Sequence, residues 1–124
     1  MAYNMQSNII LFEKEVSSMA FQIGAALLDA CVLAVLEKQD VYGYELTLQL
    51  KDYLAVSEST LYPVLRRLQK EECLITYDEP YNGRNRRYYS ITEQGRLKLL
   101  QYRYDWKEYK TNIDKFMMGD ISYD

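Results

Sequence analysis

The sequence predicts a mainly α fold with one small β-hairpin and a long C-terminal helix. Three observations carry this. Apolar residues recur at helical spacing through residues 20–70, the pattern turns to strand-like alternation on either side of an Asn82-Gly83 pair, and a heptad-spaced apolar stripe runs from Leu99 to Phe116.

From about Ala20 to Glu37, FQIGAALLDACVLAVLE is apolar nearly all round, so that helix must be buried on most sides. Ile23, Leu27, Ala30 and Ala34 form one stripe, with Leu28, Val32, Val35 and Leu36 beside it. KQDVYG breaks the pattern, and a second helix runs from Tyr44 to about Tyr53 with Leu46, Leu50 and Leu54 in step. AVSES supplies a short connection whose serines suit a helix cap. In the third helix Leu61, Val64, Leu65 and Leu68 stand at i, i+3, i+4 and i+7. That inward stripe sets Ser59, Pro63, Arg66 and Lys70 outward, with Tyr62 and Arg67 flanking. Pro63 fits an early helical position if Ser59 is the cap; a cap at Ser57 should distort the first turns. CLITYD and RRYYSIT then read as two strands joined by the Asn82-Gly83 turn, and Thr92 caps a final helix over Glu93–Met118.

At 124 residues the chain suits one compact core plus an appended helix. Neither a bilayer-crossing run nor a signal-peptide pattern is present, which points to a cytoplasmic protein without a membrane partner. The chain has no histidine, and its two cysteines, Cys31 and Cys73, have no CxxC spacing, so no metal site or cofactor is expected. Both thiols lie in apolar runs and read as reduced core residues. Missing histidine also removes the usual general base; no phosphate-cradling glycine loop is present, and the carboxylates are scattered among basic residues. The chain is not expected to be an enzyme.

The net charge of −3 conceals a local asymmetry. Residues 1–50 hold 2 basic and 6 acidic side chains, whereas residues 81–90 carry Arg84, Arg86 and Arg87 and no acid. Two separate basic elements, the outer face of the third helix and the hairpin tip, occupy the positions from which a winged helix-turn-helix meets double-stranded DNA. In such a fold Ser59 and Thr60 offer hydroxyls at a helix N-terminus, Tyr62 reaches a phosphate or a thymine methyl, Arg66 takes a guanine edge, and Lys70, Arg84, Arg86 and Arg87 add positive charge. A winged-helix module that docks an acidic protein partner without binding DNA is the alternative reading of the same basic face.

LLDACVLAVLEKQDVYGYEL, STLYPVLRRLQKEECL and GRNRRYYSITEQGR together resemble the PadR family of bacterial transcriptional regulators. The resemblance covers residues 20–100 in the right motif order. It implies a winged helix-turn-helix over 19–92 and a homodimeric repressor, with Ser59, Thr60, Tyr62 and Arg66 on the recognition helix and Arg84, Arg86 and Arg87 on the wing. It also implies glycine where this chain has Glu72, and it leaves residues 1–18 as an N-terminal arm or extension and 119–124 as a tail.

The final helix, 93–118, is read as the dimerisation element. Leu99, Tyr102, Trp106, Tyr109, Ile113 and Phe116 are spaced 3, 4, 3, 4, 3, a seam suited to a partner helix. Leu97, Leu100 and Tyr104 lie off it and are expected to face the domain's own core. A symmetric homodimer would set two recognition helices about 34 Å apart, matching an inverted repeat. In one branch of the family a tryptophan on this helix lines a pocket at the dimer centre that accepts flat aromatic compounds, and Trp106, flanked by Tyr102 and Tyr109, resembles it in position. The competing reading is that these aromatics are dimer core.

Overall fold

The computed structural model describes residues 23–119, so the expected arm 1–18 and residues 120–124 lie outside it. The described chain runs α1 (Ala25–Lys38), β1 (Val41–Tyr42), α2 (Gly43–Leu54), α3 (Glu58–Lys70), β2 (Leu74–Tyr81), β3 (Arg84–Ile91) and α4 (Glu93–Met117). The sheet is antiparallel in the order β1-β3-β2. The expected hairpin therefore gains a third strand, since Val41 and Tyr42 pair with Tyr89 and Tyr88. Two residues are too few to show a period, so this strand had no sequence signal beyond its β-favouring Val and Tyr.

One core holds the elements together. Leu28, Val32, Leu33 and Leu36 of α1 meet Leu46 and Leu50 of α2, Leu61, Leu65 and Leu68 of α3, Leu74 of β2, Ile91 of β3 and Leu99 of α4. The stripe read on α3 is buried as expected. Three residues, 55–57, join α2 to α3: Ala55 turns left-handed at φ 52°, Val56 is buried, and Ser57 begins the next helix.

The α3 cap is Ser57, not Ser59. Its hydroxyl oxygen accepts the Thr60 amide at 3.3 Å and lies 2.9 Å from Ser59 Oγ and 3.1 Å from Thr60 Oγ1. Pro63 thus sits at the sixth helical position, where the missing donor lies opposite the Ser59 carbonyl. The helix continues unbroken through it, because that side is exposed and water can satisfy the carbonyl.

At the other end of α3, Glu72 adopts φ 62°. The Cys73 amide bonds the Leu68 carbonyl at 2.9 Å and the Glu72 amide bonds Gln69 at 3.0 Å, the two hydrogen bonds of a left-handed helix stop. The α4 N-terminus locks onto this stop. Thr92 Oγ1 donates to the Glu72 carbonyl at 2.6 Å and accepts the Gly95 amide at 3.0 Å, and Gln94 Nε2 donates to the Glu71 carbonyl at 2.9 Å. Gly95 permits this approach: a Cβ there would lie 2.3 Å from the Cys73 carbonyl oxygen.

Candidate nucleic-acid interface and adjoining groove

On α3, Ser59, Thr60, Tyr62, Arg66 and Lys70 are all exposed, on the face opposite the buried leucines. Arg66 and Lys70 form no ion pair among the described residues. Ser59 and Thr60 are drawn into the Ser57 cap, so their hydroxyls are pre-oriented at the helix N-terminus. Arg67, read as a flanking surface residue, points inward instead. Both of its terminal nitrogens donate to the carboxylate of Asp29, which is 2% exposed. That hydrogen bond holds the guanidinium pKa above its ordinary value.

The wing turns tightly at Asn82 (φ 50°) and Gly83 (φ 75°), a pairing that matches strand twist, and Tyr81 stands opposite Arg84. Strand alternation divides the three wing arginines. Arg87 shares a face with Tyr89, which is buried against the base of the domain, while Arg84 and Arg86 point to the other side. The Tyr62 hydroxyl and the Tyr89 ring both flank Gly43 at the start of α2. Burial raises the Tyr89 pKa, and the positive charges of Arg87 and Arg66 oppose the rise. Tyr62 of α3 and Tyr89 of the wing therefore meet at Gly43, which joins recognition helix to wing. Sequence reasoning passed over Tyr89; its signal was the second tyrosine of RRYYSIT, whose parity assigns it to the inner face.

The other two wing arginines differ. The Arg86 guanidinium lies 3.4 Å from the Tyr81 ring centroid and 4.2 Å from that of Tyr42, a double cation–π clamp that braces the wing. Arg84 forms no ion pair among the described residues, whereas Arg87 lies 3.6 Å from Asp78 across the strands. Behind the clamp, Tyr77 and Tyr88 stack with centroids 5.5 Å apart, and Tyr77 donates to Asp40 at 2.7 Å. That hydrogen bond pushes the Tyr77 pKa up to about 12.

A second feature lies between α1 and α4. Ala26, Leu27, Ala30 and Ala34 on one side of α1 are not covered by any of the described residues, and with Tyr102, Trp106 and Tyr109 of α4 they line an apolar groove of about 700 Å³. The three aromatic residues singled out in the sequence thus meet in one place. Trp106 and Tyr109 have ring centroids 6.4 Å apart. Cys31 and Arg103 also reach the groove, and Arg103 is held by two hydrogen bonds to Glu37, at 3.0 and 2.8 Å.

The α4 seam is only partly as expected. Leu99 is 1% exposed and belongs to the domain's own core, so it has no surface for a partner. Tyr102 is half-buried and also packs against that core. Leu97, Leu100 and Tyr104, expected inside, are exposed. Seam and core-facing stripe are one and the same face: it packs on the domain as far as Tyr102 and runs past the domain's edge from Trp106 onward. Trp106, Tyr109, Ile113 and Phe116 therefore remain exposed.

A helix-turn-helix whose outward face carries Tyr62 and Arg66, followed by a basic two-stranded wing, defines a winged-helix regulator of transcription. Residues 32–101 match the model of the transcriptional regulator PadR-like family, and the chain belongs to that family. It is 35% identical over 97 residues to a Lysinibacillus sphaericus protein, covering 74% of this chain and 89% of the relative. Over 65 residues it is 38% identical to a transcriptional regulator of Mycobacterium tuberculosis, covering 52% of this chain and 61% of that one. Among solved structures, a Streptococcus mutans protein superposes with a TM-score of 0.76 at 37% identity, covering 86% of this chain and 100% of the other. A PadR-like transcriptional regulator of Bacillus cereus gives 0.67 at 32% identity, covering 73% and 90%. The family is one of regulators and not of enzymes, and no described helix is long and apolar enough to cross a membrane.

Proposed function

We propose that this PadR-like regulator is a repressor that binds an inverted-repeat operator as a homodimer and is released when a flat aromatic compound enters the α1–α4 groove. The meeting of Tyr62 and Tyr89 at Gly43, beside the exposed Arg66 and Lys70 of α3, carries the DNA-binding half of this reading. It supports one continuous surface on which α3 enters the major groove and the wing lies on the flanking backbone. Arg66 is the base reader, Tyr62 a phosphate or thymine contact, and Ser59, Thr60, Lys70, Arg84 and Arg87 position the backbone. Arg86 acts mainly by holding the wing in shape. The exposed aromatic end of α4 supports the dimer, and the groove beside it supports the effector. Release requires the compound to favour the DNA-free arrangement over the DNA-bound one.

The test is a fluorescence-anisotropy titration against the upstream region of the protein's own gene, at low and physiological salt, with a scrambled duplex as control. Sequence-preferring binding that weakens steeply with salt is expected, because neutralising phosphates releases counterions. Absence of any salt-dependent duplex binding by a folded protein would favour the docking of an acidic protein partner instead. Trp106 is the only tryptophan, so quenching of its fluorescence by a planar phenolic reports groove occupancy directly.

A further inference from the structure

Asp29 is a buried carboxylate at which three elements meet. Its Oδ2 accepts Arg67 Nη1 of the recognition helix at 2.8 Å and the Tyr102 hydroxyl of α4 at 3.2 Å, while Oδ1 accepts the second Arg67 nitrogen. The same end of α3 is tied to α4 a second time, because Lys98 Nζ lies 2.8 Å from Glu71 Oε2 and Glu71 lies one turn from Arg67. Tyr102 differs from the other members of this clamp in one respect: its ring forms part of the groove wall. One side chain thus touches both the space where a guest would sit and the carboxylate that holds the recognition helix.

We propose that Tyr102 is a positioning residue that transmits occupancy of the groove to the recognition helix through Asp29 and Arg67. A flat aromatic guest leaning on the Tyr102 ring draws its hydroxyl away from Asp29. The buried carboxylate then loses one of its three donors and is opened to water, which screens its attraction to Arg67 and weakens the anchor at the last turn of α3. The inference rests on the reading of the groove as a guest site, and its test is arranged so that the two can fail separately.

Cys31 provides the means. It lines the groove and is half-buried, whereas Cys73 is 1% exposed, so N-phenylmaleimide at mildly alkaline pH places an aromatic group in the groove covalently. Mass spectrometry verifies the single adduct, and Ala30→Phe fills the same space genetically. The readout is hydrogen exchange of amides 61–70, with the wing strands as internal control, in the full chain and in Tyr102→Phe. Occupancy is expected to speed α3 exchange about tenfold in the unsubstituted protein, the worth of one hydrogen bond to a charged acceptor. Tyr102→Phe should begin at the faster rate and gain nothing further from the adduct. A purely structural role for Tyr102 would leave the adduct effect intact in both proteins. Equal acceleration in both, or none in the unsubstituted protein with either filler, overturns the proposal. Failure of free 8-anilinonaphthalene-1-sulfonate to quench Trp106, with the exchange pattern as expected, would remove the guest reading and leave the coupling standing.

Discussion

Glu72 holds a left-handed conformation that a side chain bearing a Cβ adopts at a cost. The conformation persists because its surroundings fix it: Thr92 Oγ1 grips the Glu72 carbonyl, and the Leu68 and Gln69 carbonyls take the two amides of the helix stop. None of these contacts uses the Glu72 side chain. Glu72→Gly is therefore expected to raise stability by about 1 kcal/mol in urea denaturation, with the fold unchanged. Gly95 presents the opposite case. Its missing Cβ is what lets α4 close on the Cys73 carbonyl, so Gly95→Ala should cost about 3 kcal/mol, seen as a lowered denaturation midpoint. Position 72 was legible in the sequence as a helix stop, because the alternating pattern begins immediately after it. The Asp29–Arg67 pair was not. A lone aspartate inside LLDACVLAVL signals that some donor must reach it, yet the donor lies 38 residues away, and no local pattern names it.

At the scale of elements, recognition helix and wing were read well because each has a period that burial enforces. The α3 stripe and the Asn-Gly hairpin sit where spacing and turn chemistry place them. What the sequence could not resolve was how three arginines within four residues divide between two faces, since that depends on register against β2 and on Tyr42 arriving from β1. The division leads to distinct expectations. Arg84→Ala should weaken binding to all duplexes about evenly and lower the salt slope by about 1, the signature of one lost phosphate contact. Arg86→Ala should instead lower wing stability by about 1 kcal/mol, measured by thermal unfolding, because it empties the clamp between Tyr42 and Tyr81. Arg66→Ala should relax sequence preference, reducing the advantage of the native duplex over the scrambled one about tenfold or more.

Across the whole molecule, α4 is the element whose two ends have different neighbours. From Thr92 to Arg103 it is tied to the DNA-binding unit by Glu72, Glu71, Asp29 and Glu37. Beyond that it carries Trp106, Tyr109, Ile113 and Phe116, exposed and with no further core to meet among the described residues. The heptad spacing was visible in the sequence, but the point where it leaves the domain was not, because the same apolar face serves both purposes and only the size of the domain decides where one ends. Such a face left in water favours association, and a second copy of the same helix presents a matching stripe. Trp106 lies closest to the domain among these exposed aromatics and contributes the largest ring. Trp106→Ala is therefore expected to weaken the proposed dimer about 100-fold, the loss typical of a central aromatic anchor, when read by sedimentation equilibrium. Because the clamp at the other end of α4 lies outside that contact, the variant monomer should keep its cooperative unfolding. An unchanged dimer would shift the contact to the opposite stripe of Leu97, Leu100 and Tyr104, which is also exposed, and Leu100→Glu would then be the substitution that separates the subunits.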